Sequence, residues 1–248
     1  MTGTVYLVGA GPGAADLLTL RAARLLSEAD VVLHDALVGA EILALAPQAR
    51  IYNVGKRANR PSVDQRLICR LLVRLAERHR VVVRLKGGDP NLFGRASEEV
   101  AACRVAGVPV VTVPGVSAGF AAAASVGTSL TSRGVSRSVA FVTPSVGHGD
   151  ARNAHWAEAA AAAETAVIYM GAIHAEYVVE ELLASGVQRR RPVAVVESAS
   201  TANERVLRGV LCDLPELVAE LGDGPAVIIV GEVAALADAL PLAAVSAA

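Results

Sequence analysis

The sequence predicts an α/β protein built as two α/β domains, an N-terminal one on a mostly parallel sheet and a C-terminal one on a mixed sheet. Three observations carry this. Short runs of β-branched residues alternate with longer amphipathic segments, the pattern of strands joined by crossover helices. The runs are apolar on both faces, as in Val81-Val82-Val83, which suits a parallel sheet covered on both sides. And of the 248 residues, 53% are hydrophobic while only 3% are aromatic, so Ala, Val and Leu supply a large core.

In the first half, Thr4 to Val8 reads as a strand and Gly9-Ala10-Gly11-Pro12-Gly13 as a loop. Asp16 to Glu28 follows as a helix with Leu17, Leu18, Leu20, Ala23 and Leu25 on one face. Asp30 to His34 and Ile51 to Val54 are the next strands. A long helix covers Val63 to Arg80, with Leu67, Leu71, Leu72 and Leu75 inward. Val81 to Leu85 and Val108 to Val113 complete the set. Between them, Gly87-Gly88-Asp89-Pro90 ends a strand, and Ser97, Glu98 and Glu99 suit the first turn of a helix.

Pro114-Gly115 marks the boundary, giving domains at residues 1–114 and 115–240 and a tail at 241–248. Beyond it come a small-residue helix, Ser117 to Ser125, and a polar loop, Gly127 to Arg137. Strands are expected near Ser138–Thr143, Ala166–Met170, Val193–Glu197, Arg205–Gly209 and Ala226–Val230. Helices are expected near Ala154–Ala163, Ala175–Ser185 and Leu214–Leu221. The short polar link before Arg205 makes an antiparallel hairpin of the third and fourth strands.

Net charge is −1, which does not announce a nucleic-acid binder. Cys69, Cys103 and Cys212 have no metal-ligand spacing and fit a reducing, cytoplasmic setting. The histidines likewise have no ligand spacing, so no metal is expected. The chain starts directly in a strand, without a leader pattern, and no apolar run is long enough to span a membrane. Lysine occurs only at Lys56 and Lys86 among the 23 basic residues, both beside glycine at strand ends.

Four successive strand ends carry polar groups: Gly9 to Gly13, Asp35, Lys56-Arg57, and Lys86 to Asp89. In a parallel sheet they share one edge, where α/β folds bind ligands. Asp35 near Lys56 reads either as a charge pair that could move protons if partly buried or as a salt bridge at the rim. Arg133 and Arg137 among hydroxyls read either as a seat for carboxylate or phosphate or as a solvated loop. The first loop also satisfies the dinucleotide pattern G-x-G-x-x-A, with Asp30 or Asp35 downstream. Pro12 weakens that reading by removing an N–H.

These loops, in this order, resemble the tetrapyrrole methylase family. The resemblance is carried by Val8 to Gly13, His34 to Val38, Val54 to Arg57, Arg84 to Pro90, Val113 to Ala118, Leu130 to Ser136, Tyr169 to Gly171 and Pro225 to Gly231. It implies a homodimer that binds S-adenosyl-L-methionine between two α/β domains and leaves S-adenosyl-L-homocysteine. It implies donor contacts at Pro12, Gly87, Gly88, Asp89, Leu92, Ser117, Ala118, Met170, Ala199 and Ala226. Asp35 and Lys56 match the family's proton acceptor and donor. The implied reaction is C-methylation of uroporphyrinogen III at C2 and C7, giving precorrin-2 for sirohaem or cobalamin. Arg57, Arg84, Arg133 and Arg137 are the expected partners of the tetrapyrrole's carboxylates. The chain departs from the family pattern at Ala14-Ala15, Asn91, Ala96-Ser97, Ser132 and Ala199. These departures leave a later precorrin such as precorrin-4 as an alternative substrate; a dinucleotide-dependent oxidoreductase is the alternative class, and a non-catalytic member that holds the donor without turnover is a third reading.

Overall fold

The computed structural model describes residues 2–55, 64–144 and 155–236. The chain divides into two compact units, Met1–Ser117 and Ala118–Ala248, with the division just past Pro114-Gly115.

The first unit holds five strands: β1 (Thr4–Gly9), β2 (Val31–His34), β3 (Arg50–Asn53), β4 (Val81–Lys86) and β5 (Val110–Val113). They form one sheet in the order β3-β2-β4-β1-β5, every pair parallel. Its helices are α1 (Leu20–Ser27), α2 (Ala40–Leu43), α3 (Gln65–Ala76) and α4 (Ala96–Val105). Side chains alternate across β4. Val83 and Leu85 join Ala22, Leu25 and Leu26 on the α1 face, while Val82 joins Ile68, Leu72 and Cys103 on the α3–α4 face. The second face therefore also receives Arg84 and Lys86.

Two helices begin later than expected, each at a side-chain cap. Thr19 Oγ1 accepts the Ala22 N–H at 3.1 Å, so α1 starts at Leu20, and Ala15–Leu17 forms a separate 3₁₀ turn. Asp64 Oδ1 accepts the Arg66 N–H at 2.9 Å and starts α3 at Gln65. The short α2 escaped the sequence reading because one turn shows no periodicity.

The second unit holds β6 (Val139–Val142), β7 (Thr165–Tyr169), β8 (Pro192–Glu197), β9 (Arg205–Val210) and β10 (Ala226–Gly231), in the order β6-β7-β10-β8-β9. Only β6 and β7 run parallel; the other pairs are antiparallel, including the expected β8–β9 hairpin. Helix α5 (Ala118–Val126) covers one face, and α6 (His155–Ala162), α7 (Ala175–Ala184) and α8 (Leu214–Ala219) cover the other. Among the described residues, no helix is long and apolar enough to cross a membrane.

Candidate active site

The parallel register brings the carboxyl ends of the first unit's strands level: Gly9 with Lys86, and His34 with Leu85 and Asn53. Three loops at this edge press together backbone to backbone. The Gly88 N–H donates to the Gly11 carbonyl at 2.7 Å, and the Gly11 N–H to the Gly88 carbonyl at 3.3 Å. The Ala10 N–H donates to the Lys86 carbonyl at 2.7 Å. A Cβ on Gly9 would lie 2.6 Å from the Gly88 oxygen and from Gly115 Cα; one on Gly115 would lie 2.4 Å from the same oxygen. Asp89 locks the assembly. Its Oδ1 accepts the Asn91 N–H at 2.8 Å, and its Oδ2 accepts the Gly115 N–H at 3.0 Å. The result is a bare backbone shelf.

Gly87 stands apart on this shelf. It is exposed, and a Cβ there would meet nothing within 4 Å. Its backbone is not left-handed, so glycine is not required by conformation. A missing side chain in open space fits a surface that another molecule approaches closely. Pro12 and Leu92 are half-buried nearby in sequence, and Ser117 is buried.

The dinucleotide reading does not survive this geometry. A phosphate cradle needs free loop N–H groups at a helix N-terminus. Here the Ala10 and Gly11 donors are already used by the Lys86 and Gly88 carbonyls, and α1 does not begin until Leu20.

Below the shelf lies a charged cluster. Arg84 is 2% exposed, Lys86 3% and Glu99 0%. Arg84 Nε donates to Glu99 Oε1 at 3.0 Å, its Nη1 to the Leu85 carbonyl at 3.1 Å, and its Nη2 to Asp35 Oδ1. Lys86 Nζ lies 3.2 Å from Glu99 Oε2, and Gln65 Nε2 donates to Glu99 Oε1 at 3.1 Å. Burial works against the Arg84 charge, but Asp35 and Glu99 more than offset it and raise its pKa. For Lys86 the balance falls the other way. Burial, then the Arg84 charge, lower its pKa despite Glu99.

Asp35 reaches out of this cluster, with its side chain 31% exposed at the end of β2. Its carbonyl is held by His34, whose Nδ1 lies 2.8 Å away. Among the described residues its cationic partner is Arg84; Lys56 and Arg57 lie outside the described residues. Sequence reasoning gives Arg84 to the substrate's carboxylates; in the structure it faces Asp35 and Glu99. The guanidinium is interior and its fork is spent on Asp35, Glu99 and main-chain carbonyls.

Glu99 was missed as a site residue. The signal was present: Arg84 and Lys86 sit two apart on one strand, hence on one buried face, and two buried cations require an anion from the covering helix. Glu98 does not serve, since it is exposed and paired with Arg95 at 2.7 Å.

The second unit shows a comparable edge. Gly119 N–H donates to the Tyr169 hydroxyl at 2.8 Å, tying the start of α5, at Ala118, to the end of β7. Glu197 accepts N–H groups from Gly222 at 3.1 Å and Gly224 at 2.8 Å, which draws the turn before β10 against the end of β8. Met170, Ala199 and Ala226 therefore share one end of the sheet with Ala118. Met170 is exposed, Ala199 buried, and Ala118 and Ala226 half-buried. Arg133 and Arg137 are exposed in the loop ahead of β6, folded by a Ser132–Ser136 bridge.

Backbone strain gathers at these edges. Among the described residues, the non-glycine positions with left-handed backbone are Phe93, Arg95, Met170, Ser198 and Ser200. All follow β4, β7 or β8, and such strain collects at functional sites.

Similarity to known proteins points the same way. The family model of tetrapyrrole (corrin/porphyrin) methylases matches residues 4–215. A crystal structure of uroporphyrin-III C-methyl transferase from Thermus thermophilus, complexed with S-adenyl homocysteine, is 43% identical. The match covers 94% of this chain and 100% of that one, with a TM-score of 0.84. A cobalt precorrin-4 methyltransferase is 29% identical, covering 93% of this chain and 95% of that one, at a TM-score of 0.80. Siroheme synthase from Tolumonas auensis is 46% identical over 241 residues, or 96% of this chain and 51% of that protein. Siroheme synthase from Pseudomonas aeruginosa strain PAO1 is 46% identical over 242 residues, or 96% of this chain and 52% of that one. The chain thus spans about half the length of the curated relatives it matches. With the motif order, the two sheets and this match over most of its length, the chain belongs to the tetrapyrrole (corrin/porphyrin) methylases.

Proposed function

We propose that the chain methylates uroporphyrinogen III at C2 and C7 with S-adenosyl-L-methionine, giving precorrin-2. The observation that carries this is the 43% identity to the Thermus enzyme across that enzyme's whole chain, against 29% for the precorrin-4 enzyme. The open space at Gly87 on a backbone shelf supports a closely held donor.

When bound, S-adenosylmethionine supplies a sulfonium methyl already activated for attack by carbon. The chain's own tasks are then positioning, exclusion of water and removal of one proton per methyl added. Pro12, Gly87, Gly88, Asp89, Leu92 and Ser117 are the donor residues of the first unit; Ala118, Met170, Ala199 and Ala226 are those of the second. Asp35 accepts the proton that the macrocycle loses after each methyl is added, for it is the one member of the charged cluster that reaches solvent. Lys56 is proposed as the proton donor. Arg57, Arg133 and Arg137 meet the carboxylates of the tetrapyrrole, with Arg84 acting from inside on Asp35. A cytoplasmic homodimer completes the reading.

The test is incubation with uroporphyrinogen III and methyl-labelled S-adenosylmethionine under anaerobic conditions. Label moving into the tetrapyrrole fraction supports the reading. Label that stays on the donor with uroporphyrinogen III but passes to a later precorrin offered in its place moves the substrate down the sequence of methylations.

A further inference from the structure

We propose that Glu99 is a positioning residue of the methyl transfer, acting on Asp35 through the Arg84 guanidinium. The inference rests on the reading of Asp35 as proton acceptor.

Glu99 itself cannot touch a substrate, being fully buried. Helix α4 delivers it from its first turn onto the face of the sheet where Arg84 and Lys86 end β4. Arg84 then has two arms. Its Nε holds Glu99 Oε1 at 3.0 Å, and its Nη2 holds Asp35 Oδ1. A planar fork gripped at one edge fixes the direction of the other. The Leu33 and Leu85 carbonyls steady Nη1 between them at 3.4 and 3.1 Å. Lys86 and Gln65 in turn hold Glu99. The chain of contacts runs from α3 and α4 through two buried side chains to a carboxylate at the surface. Two cations and two carboxylates balance, so the cluster can exist in the interior without net charge. A purely structural pair would close on itself. This one ends on the partly exposed acid.

The experiment compares kcat for the wild-type chain, Glu99→Gln, Asp35→Asn and the double variant, with labelled methyl so that slow turnover stays measurable. Expected is a fall in kcat of about ten- to a hundredfold for Glu99→Gln, with S-adenosylhomocysteine affinity unchanged. In the Asp35→Asn background the same substitution should cost less than about threefold, because the group it positions is gone. Equal losses in both backgrounds would overturn the proposal and leave Asp35 as the base. Full activity of Asp35→Asn would overturn it by a different route, by removing the base itself. If Glu99→Gln does not fold, Arg84→Lys takes its place. A single ammonium keeps the charge beside Glu99 but loses the fork, and the same dependence on Asp35 is expected; its absence would overturn the proposal.

Discussion

Two glycines on the same shelf should respond in opposite ways to one added methyl group. At Gly9 the new Cβ would sit 2.6 Å from Gly115 Cα, Gly115 N and the Gly88 carbonyl. Ordinary contact is near 3.5 Å, so the overlap approaches 1 Å, and all three atoms are main chain in hydrogen-bonded loops that cannot rotate aside. Overpacking of this kind costs about 3 kcal/mol, the upper end of its usual range. For a chain of this size that lowers Tm by about 6–12 °C. At Gly87 the Cβ would meet nothing within 4 Å, and the backbone suits alanine. Stability should hold or rise by about 0.4–1 kcal/mol as the unfolded chain loses freedom. Yet the methyl would stand where the donor is proposed to lie. Binding of S-adenosylhomocysteine should weaken by about tenfold or more, equivalent to about 1.4 kcal/mol. Thermal unfolding and isothermal titration calorimetry on Gly9→Ala and Gly87→Ala read both effects. A Gly87→Ala chain that binds as tightly as wild type would refute the placement of the donor. A Gly9→Ala chain with unchanged Tm would refute the account of the shelf.

Other substitutions test separate parts of the molecule. Hydrogen bonds from Gly222 and Gly224 outweigh burial and lower the pKa of Glu197; its contribution is therefore present above the unfolded value of about 4.3 and lost as pH falls through the lower folded value. Glu197→Gln should cost about 1–3 kcal/mol at neutral pH, a deficit that closes in acid; urea unfolding across pH measures it. Glu99→Gln should cost about 3–5 kcal/mol at pH 7, the usual loss when one partner of a buried ion pair is removed. Without Glu99, burial and Arg84 depress Lys86 further below its unfolded value of about 10.4, so its charge opposes folding until it is shed. The deficit should shrink as pH rises from neutral toward 10, and a constant deficit would contradict the cluster's role. Arg133→Ala and Arg137→Ala should each raise KM for the tetrapyrrole by about three- to thirtyfold, as lost charge-assisted contacts do, while S-adenosylhomocysteine affinity stays level.

The strands were legible because buried parallel strands write themselves as apolar runs, and Val81-Val82-Val83 could be little else. The shared edge of strand-end loops followed from parallel direction alone. The order β3-β2-β4-β1-β5 did not, since every strand looks alike from both sides. Charge pairing was harder still. Asp35, Arg84, Lys86 and Glu99 are separated by up to 64 positions, and the choice of Arg84 as partner for Asp35 depends on which face of β4 each residue takes. Glu98 and Glu99 read alike as first-turn acids; a helical step of about 100° exposes one and buries the other. Helix starts shifted wherever a cap decided them, as at Thr19 and Asp64.

The central claim is the reaction itself. The most direct measurement is mass spectrometry of the tetrapyrrole after anaerobic incubation of the full chain with uroporphyrinogen III and S-adenosylmethionine. The account predicts a product carrying two added methyl groups, with the singly methylated species passing through as an intermediate. An unchanged tetrapyrrole, from a chain that also fails to bind S-adenosylhomocysteine, would contradict it.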